Sequence, residues 1–461
     1  MDRSFGARIP LSFKRARILD SAKILCLDRV LSSFGCLYPL ETLFFRIAGL
    51  PIHDPETTSA SAPTWITAAG VHGDQIPYGM TNARLDGLKG IALWSIAVDM
   101  TMRLPPIPLR PKISEALEMN DEELSAEANR LMSRIGQKMR WSYDACMTIA
   151  PLTLRINQLK EQEDVIIIAH TYQTPDIVYG VADAVGDSYT LSKIARDAPQ
   201  STILFSSVRF MAETAKILSP EKRVIHPSPE AGCSLSEGID ASDVQAMKAS
   251  YPGVPVACYI NTTAAVKAEC DVCVTSSNYL AIAEKLPGDE IIFVPDRLMG
   301  LHLKKHLEGR KTVYLHDADC EVHAAFSSDS IHRQRREAEK RGLQLKVLAH
   351  PECDSEVLEA SDFVGSSERI LTEAKKLGAQ DGVAVMMITE CGTAERAIAE
   401  SEAPIELMGS CSMCRHMKRT HLEDILQAIE SPTSDQIVEI EDSIIQKARV
   451  SLDQMFALSD A

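Results

Sequence analysis

The chain repeats a pattern about every ninety residues, and this repeat limits the fold more than any other feature of the sequence. Three short runs rich in β-branched residues end in polar side chains at equivalent points. These points are His170, Tyr259 and His350, which lie 89 and 91 residues apart. A repeat of this length is typical of one supersecondary unit that packs beside its copies. The chain is therefore predicted to contain three similar units.

Two further residue types follow the same period. Serines stand at predicted helix starts, at Ser188, Ser276 and Ser366, which are 88 and 90 residues apart. Single cysteines close the units, at Cys233, Cys320 and Cys414, which are 87 and 94 residues apart. Because strand ends, helix starts and cysteines share one period, each unit should place them at the same structural level.

Each unit alternates a short strand, a polar or glycine turn and an amphipathic helix, a pattern typical of an α/β fold. We predict three pseudo-equivalent three-layer α/β/α units around a central cavity, because α/β sheets place ligands at the carboxyl ends of their strands. An extra N-terminal extension precedes them. The predicted boundaries are 1–110 for the extension, 111–245 for a helical lead-in and unit 1, 246–335 for unit 2, 336–430 for unit 3, and 431–461 for a C-terminal helix.

The first 110 residues show no clean hydrophobic period. They are interpreted as a poorly ordered extension, as a targeting or partner-binding arm, or as translated upstream sequence with the true start near Met100 or Met102. After them, Asn120 is a good N-cap for a helix that should end near Met139. A second helix is predicted from Thr153, leading into the apolar strand from Val165 to Ala169.

Composition excludes several classes of protein. The formal charge of -16 argues against a nucleic-acid partner, and no run is long and apolar enough for a membrane span. Twelve cysteines in 461 residues, with no apolar leader at the start, indicate a reducing cytoplasm. The cysteines are therefore expected to be free thiols, metal ligands or core residues. Small anions are the expected substrates, so any positive potential must be local.

The three periodic cysteines predict an iron-sulfur centre. If each unit brings one cysteine to the central cavity, three thiolates can hold three irons of a 4Fe-4S cluster and leave the fourth iron open for substrate. Free cysteines are more often buried apolar residues, and five others are interpreted in this way. These five are Cys26, Cys36, Cys146, Cys258 and Cys353. Cys391 lies close enough to the expected cavity that its role is left open.

Two CxxC pairs, Cys270/Cys273 and Cys411/Cys414, also permit a zinc interpretation, because paired thiolates suit a tetrahedral ion. The first pair falls near a predicted strand and has no counterpart in the other units. The second pair could alternatively form a reversible disulfide that withdraws a cluster ligand.

A series of motifs resembles the quinolinate synthase family of bacterial and plastid NAD biosynthesis. In order, the matching stretches are AHTYQTPDI, ADAVGDSYTLS, FMAETAKIL, AGCSL, YINTTAAVKAECDVCVTSSN, FVPDRLMG, DCEVH, HPEC, DFVGSS, TECGT and CSMCRHMK. Together they cover about residues 155 to 425. Small departures occur in AHTYQ, in FSSVRFMAE and in GSS where GST is usual. The resemblance implies that Cys233, Cys320 and Cys414, rather than Cys411, are the metal ligands of a 4Fe-4S cluster.

The reaction implied by the resemblance joins iminoaspartate to dihydroxyacetone phosphate and loses phosphate and water to give quinolinate. The resemblance also allows a transient contact with L-aspartate oxidase. His170, Tyr172 and Glu352 are the candidate catalytic residues, with Glu352 as general base and Tyr172 as proton donor. The candidate substrate-binding residues share strand ends and helix starts, and they are His170, Ser188, Tyr259, Asn261, Ser276, His323, His350, Glu352, Ser366 and Ser367. The serines stand where helix N-termini favour anions.

Two other classes of protein remain open from the residues. One is another three-cysteine iron-sulfur enzyme, of the type found in diphthamide synthesis. The other is a structural zinc protein or an electron-transfer protein, which metal analysis would distinguish from the enzyme.

Overall fold

The fold was taken from a computed structural model that describes residues 119–409 and 411–460. The predicted extension, 1–110, and the interpretations given for it lie outside these residues, as do Cys26 and Cys36. Within the described part of the chain, no helix is both long enough and apolar enough to cross a membrane.

Two helices lead into the first sheet. α1, Asp121–Leu131, begins after Asn120, whose side chain accepts a hydrogen bond from the Glu123 backbone, as predicted. It continues through a π-helical stretch to Met139. The predicted start of the second helix at Thr153 is wrong, because α2 spans Tyr143–Gln162 and is capped by Ser142. Thr153 is buried inside α2, where its hydroxyl lies 2.5 Å from the Glu127 carboxylate.

The first sheet is parallel, with the strand order β2-β1-β3-β4. Its strands are β1 (Val165–His170), β2 (Ala184–Gly186), β3 (Thr202–Ser206) and β4 (Arg223–Ile225). The helices that connect and follow them are α3 (Pro175–Gly180), α4 (Ser188–Asp197), α5 (Arg209–Leu218) and α6 (Ser234–Glu237). The two long strands are buried on both faces, which explains why they read as continuous apolar runs instead of alternating ones.

The second sheet is also parallel and has the corresponding order β6-β5-β7-β8. Its strands are β5 (Val256–Tyr259), β6 (Val272–Val274), β7 (Glu290–Val294) and β8 (Thr312–Leu315). Its helices are α7 (Ala241–Ser250), α8 (Ala264–Lys267), α9 (Tyr279–Lys285) and α10 (Arg297–His306). One apolar core continues from the first sheet into the second, through residues such as Phe205 and Phe293.

The third sheet has three parallel strands in the order β10-β9-β11. They are β9 (Gln344–Ala349), β10 (Phe363–Val364) and β11 (Val383–Ile388). The helices around them are α11 (Ser328–Lys340), α12 (Ser355–Glu359), α13 (Ser367–Gly378) and α14 (Cys391–Glu400). The prediction of an α/β protein with parallel sheets is thus confirmed.

The chain ends in a 3-10 turn and two helices. The turn is Met417–Arg419, and the helices are α15 (Leu422–Glu430) and α16 (Asp442–Asp460). Leu452 and Phe456 of α16 belong to the core shared by the first and second sheets. This packing accounts for the apolar positions in the predicted C-terminal helix.

Candidate active site

A cavity lies at the carboxyl ends of strands from all three sheets. The first sheet contributes His170, Tyr172, Asp187, Ser188, Val208, Phe210, Gly232, Cys233 and Ser234. The second contributes Tyr259, Asn261, Ser276, Cys320, Glu321, Val322 and His323, and the third contributes His350, Glu352, Ser367, Cys414, His416 and Met417.

Every site residue predicted from the sequence lines this cavity except Ser366. Ser366 is the N-cap of α13 and is buried, and its hydroxyl has no hydrogen-bond partner among the described residues. Lining residues that the sequence reasoning missed include Asp187, Glu321 and His416. Each of them stands within two residues of a predicted site residue, so that adjacency was the available signal.

One backbone contact recurs beside each of the three lining cysteines. A backbone N–H at the start of a helix donates to a carbonyl two residues before the cysteine. The pairs are Arg209 to Ala231 before Cys233, Arg297 to Ala318 before Cys320, and Cys391 to Ser412 before Cys414. The three cysteine-bearing loops are therefore attached to their sheets in the same way.

The three cysteines are free thiols and are half-buried. Burial raises the pKa of Cys233 to about 12 and that of Cys414 to about 11, and it raises the pKa of Cys320 well above its usual value. The other thiols contribute as well, since Cys414 raises the pKa of Cys233 and Cys233 raises that of Cys320. A trio of neighbouring thiols of this kind ionises readily only when a metal takes the place of the protons.

Cys320, His323 and Glu352 form a group that could hold a metal ion, because one donor atom from each lies within 4.8 Å of the other two. His323 Nδ1 is 3.4 Å from Cys320 Sγ and 2.5 Å from Glu352 Oε2. The cavity therefore offers two donor sets that share Cys320: three thiols, or one thiol with an imidazole and a carboxylate.

Glu352 contacts two histidines whose rings stack on each other. The rings of His323 and His350 are 4.4 Å apart, and Glu352 Oε2 is also 3.3 Å from His350 Nδ1. Burial raises the pKa of the Glu352 carboxyl, but the two histidines lower it by more, so that its pKa falls well below the usual value. Its other oxygen, Oε1, is buried and has no hydrogen-bond partner in the described structure. The site thus holds a carboxylate with one oxygen still available to a ligand.

A chain of hydroxyl groups connects Tyr172 to this carboxylate. The Tyr172 hydroxyl lies 2.7 Å from Ser367 Oγ and 3.1 Å from Thr389 Oγ1, and Thr389 Oγ1 lies 3.1 Å from His323 Nε2. Burial raises the pKa of Tyr172 well above its usual value, as does the charge of Glu352. Tyr172 is therefore protonated at neutral pH. Thr389 is buried and is not among the cavity-lining residues. It belongs to the TECGT stretch, but no pattern in the sequence assigned a role to its hydroxyl.

The predicted serines differ in their settings. Ser188 is the first residue of the ten-residue helix α4, which Asp187 caps by accepting from Thr190, and Ser367 is the first residue of α13. Ser276 is not at a helix start, which corrects the prediction. It lies in a turn in which Asn278 Oδ1 accepts from the Thr275 backbone, and α9 begins only at Tyr279.

Tyr259 and Asn261 line the cavity after β5. Burial raises the pKa of Tyr259 well above its usual value, followed by the negative charge of Glu352. Asn261 Oδ1 is buried and has no hydrogen-bond partner among the described residues. An unpaired buried carbonyl beside a cavity is available to a donor group of a ligand.

A disulfide joins Cys391 to Cys411. This corrects the expectation that the cysteines are free thiols, metal ligands or core residues, and it replaces the alternative pairing of Cys411 with Cys414. The bond is formed because the segment leading to Cys414 runs beside the end of β11, where Glu390 and Ser412 form a parallel bridge. Cys391 thereby receives the role that the sequence left open.

The other cysteines of the described residues do not line the cavity. Cys146, Cys258 and Cys353 are fully buried, as predicted for core residues. The thiol of Cys270 donates to the Val266 carbonyl, whereas that of Cys273 lies 3.3 Å from Ser451 Oγ. Both thiols of this CxxC pair also interact with the Cys258 thiol.

Comparison with known proteins gives one consistent match. A family model described as "Quinolinate synthetase A protein" matches residues 154–457. The quinolinate synthase of Caulobacter vibrioides (strain NA1000 / CB15N) is 40% identical over 313 residues, which cover 67% of this chain and 82% of the relative. Those of Sinorhizobium fredii and Clostridium acetobutylicum are 38% and 39% identical over 67% and 66% of this chain, and over 83% and 97% of their own lengths.

Proposed function

The chain belongs to the quinolinate synthase family, and we propose that it condenses iminoaspartate with dihydroxyacetone phosphate to form quinolinate. The reaction releases phosphate and water and serves NAD biosynthesis. In this proposal the protein is a transferase that depends on an iron-sulfur cluster. One observation carries the proposal: three cysteines, each following a different parallel sheet, line one cavity together with the buried carboxylate of Glu352 and four histidines.

The proposed architecture is three α/β units related by a pseudo-threefold axis around this cavity. Two features support it. The first and second sheets share one strand order, and the third matches it apart from its missing outer strand among the described residues. In addition, a backbone N–H at the start of a helix donates to the carbonyl two residues before each lining cysteine, in the same way in all three loops.

Cys233, Cys320 and Cys414 fit a 4Fe-4S cluster. Their donor set is all sulfur, and their buried thiols need a metal before they ionise. With one iron left free of a protein ligand, a bound cluster would supply a Lewis acid for loss of water. The carboxylate oxygen Glu352 Oε1 and the amide oxygen Asn261 Oδ1 remain available for the substrate.

Anion binding is assigned to residues of the first and third sheets. Ser188 and Ser367 stand at the first turns of α4 and α13, where hydroxyls and free backbone N–H groups favour carboxylate or phosphate. His170 and His350 supply further donors at the strand ends. Tyr259 and Asn261 would orient the planar intermediate, the aromatic ring by stacking and the amide by hydrogen bonding.

Proton transfer is assigned to Glu352 and the groups hydrogen-bonded near it. Glu352 is anionic and can accept a proton during isomerisation and dehydration. Because Tyr172 holds its proton firmly, it acts as a hydrogen-bond donor rather than as a free acid. Thr389 and His323 link its hydroxyl to Glu352 through successive contacts of 3.1 and 2.5 Å.

The donor group of Cys320, His323 and Glu352 supports a second candidate, an enzyme with a single metal ion such as zinc. Removing Cys233 distinguishes the two, because Cys233 belongs to the thiol trio and not to this group. The C233A variant should lose iron and sulfide if the cluster is correct, and should keep its metal if the mononuclear site is correct.

The decisive experiment is anaerobic reconstitution with iron and sulfide, followed by metal analysis and an assay for quinolinate from the two substrates. We expect about four irons and four sulfides per chain and quinolinate formation that C233A abolishes. A reconstituted chain that holds the cluster but forms no quinolinate would refute the proposed reaction. Zinc without sulfide would refute the cluster.

A further inference from the structure

Lys418 lies directly behind the cavity wall and follows Cys414 by four residues in the chain. Its side chain is only 14% exposed. The ammonium group donates a 2.6 Å hydrogen bond to the Tyr172 carbonyl and lies 3.2 Å from Glu390 Oε1. Lys418 does not line the cavity, although Tyr172 and Cys414 do. Its influence on a ligand must therefore act through these neighbours.

Glu390 is fully buried and joins the same group of contacts. Its Oε1 accepts a 3.2 Å hydrogen bond from the Cys414 backbone, while Oε2 accepts a 2.6 Å bond from the Gly392 backbone at the start of α14. One carboxylate thus holds the Cys414 backbone, caps α14 and pairs with the Lys418 ammonium. Buried charge-assisted hydrogen bonds of this kind are among the strongest that proteins form.

The backbone around Tyr172 leaves little freedom for another arrangement. A Cβ atom at Gly392 would come within 2.5 Å of the Thr171 carbonyl oxygen and 2.9 Å of the Tyr172 Cα, so that α14 packs directly on this strand end. The Tyr172 hydroxyl is held at its other end by Ser367 and Thr389. Lys418 completes this arrangement, since it holds the Tyr172 carbonyl.

We propose that Lys418 is a positioning residue that couples the Cys414 loop to Tyr172. Its ammonium pairs with Glu390, which holds the Cys414 backbone, and also donates to the Tyr172 carbonyl. One buried charge thereby positions a cluster ligand and a phenol that faces the substrate. Its positive charge also offsets part of the negative charge that three thiolates bring to the cavity. This inference rests on the proposed cluster, because the second effect requires thiolates at Cys233, Cys320 and Cys414.

Three variants test the role of Lys418. K418M removes the ammonium and keeps an unbranched side chain of similar length, and E390Q removes the partner charge while keeping an acceptor for the Cys414 backbone. K376M is the matched control, because Lys376 pairs with Glu373 on the surface and its side chain is 69% exposed. Circular dichroism and thermal unfolding first establish that each variant is folded.

The readouts are iron and sulfide content, the rate of iron loss to a chelator without oxygen, the midpoint potential of the cluster, and kcat and KM. In K418M we expect iron loss to be about tenfold faster, since a buried charge-assisted contact is lost. The potential should fall, because a positive charge near the cluster stabilises its reduced and more negative form. It should rise in E390Q, and K376M should match the wild type. In K418M, kcat should fall more than KM rises, because Tyr172 is displaced.

The possible failures are separable. If the wild-type chain holds no iron and sulfide, the proposed cluster and this inference are both overturned. If the wild type holds a full cluster and folded K418M matches it in iron loss and potential, only the role of Lys418 is overturned. Equal shifts of potential in K418M and E390Q would also overturn it, because opposite charges have then been removed with the same result.

Discussion

Replacing Glu352 with glutamine should remove the activity and leave the fold and the metal in place. The carboxylate contacts both His323 and His350 through Oε2, while Oε1 is buried and has no hydrogen-bond partner within residues 119–409 and 411–460. Glutamine has almost the same shape. Its amide oxygen can take the place of Oε2, and its amide nitrogen then occupies the position of the unpaired oxygen. No protein hydrogen bond need be lost in this variant.

The two effects of E352Q differ in size. A charged hydrogen bond contributes about 1 kcal/mol more than a neutral one, so that the free energy of unfolding should change by only about that amount. An amide cannot accept the proton that a general base removes, and loss of such a base typically reduces the rate by a factor of about 100 to 10,000. This corresponds to about 3 to 5 kcal/mol of transition-state stabilisation. The activity should therefore fall far more than the stability.

The assay compares quinolinate formation, cluster absorption and denaturant unfolding in the wild type, E352Q and the control E359Q. Glu359 belongs to the same sheet region, but its side chain is 61% exposed and pairs with Lys305 on the surface. Activity of E352Q within about threefold of the wild type would refute the assignment of the general base. Loss of iron from E352Q would show instead that Glu352 is itself a metal ligand, as in the mononuclear alternative.

Three further predictions concern hydrogen bonding, covalent linkage and pH. T389V removes the hydroxyl between Tyr172 and His323 and should lower kcat about tenfold with iron content unchanged, whereas an unchanged kcat would exclude a role for the hydroxyl chain. The double variant C391S/C411S should lower the free energy of unfolding by about 3 kcal/mol, because the bond closes a loop with a sequence separation of 20. Denaturant curves measure this, and the difference should disappear under reducing conditions. Burial lowers the pKa of His226 from 6.5 to about 4, so the unfolded chain binds this proton first as the pH falls. His226 should therefore contribute a loss of stability of about 1.4 kcal/mol per pH unit between pH 6.5 and 4, in addition to that of other buried histidines. H226Q should show a slope smaller by about this amount, and equal slopes would contradict the assignment.

The sequence correctly placed three polar residues at strand ends. His170 and Tyr259 are the last residues of β1 and β5, and His350 follows β9. Parallel strands present their carboxyl ends at one edge of a sheet whatever the details of packing. Their common period was sufficient to bring them to one cavity. The α/β class followed from the same alternation of strand and helix.

The features that the sequence did not reveal depend on contacts between distant segments. The disulfide of Cys391 requires the segment at Ser412 to lie beside the end of β11, which no local pattern encodes. α2 begins at Tyr143 and not at the predicted Thr153, because Ser142 caps it. The Thr153 hydroxyl bonds to Glu127 instead. Such competition between a local cap and a tertiary partner is decided only when the whole chain has folded.

For the proposed reaction, a chain with a formal charge of -16 would have to attract small anions to this cavity. His170 reports the local potential there. The pKa of His170 falls to about 3, chiefly because of burial and also because of the positive charges of Arg396, His350 and Lys418, against the opposing charge of Glu352. Arg396 is 9% exposed and donates to the Thr171 hydroxyl just behind the cavity wall.

The acidic groups that line the cavity are already engaged. Asp187 caps α4, and Glu321 pairs with Arg415 at 2.9 Å, while Glu352 is shared by two histidines. The buried cations behind the cavity wall are themselves paired. Arg396 contacts Glu368 and Glu400, and Lys418 contacts Glu390. In the proposed site, small anions would therefore be bound by local donors, chiefly the free backbone N–H groups at the first turns of α4 and α13. The overall charge argues against polyanionic partners, and it does not oppose binding that depends on such short-range contacts.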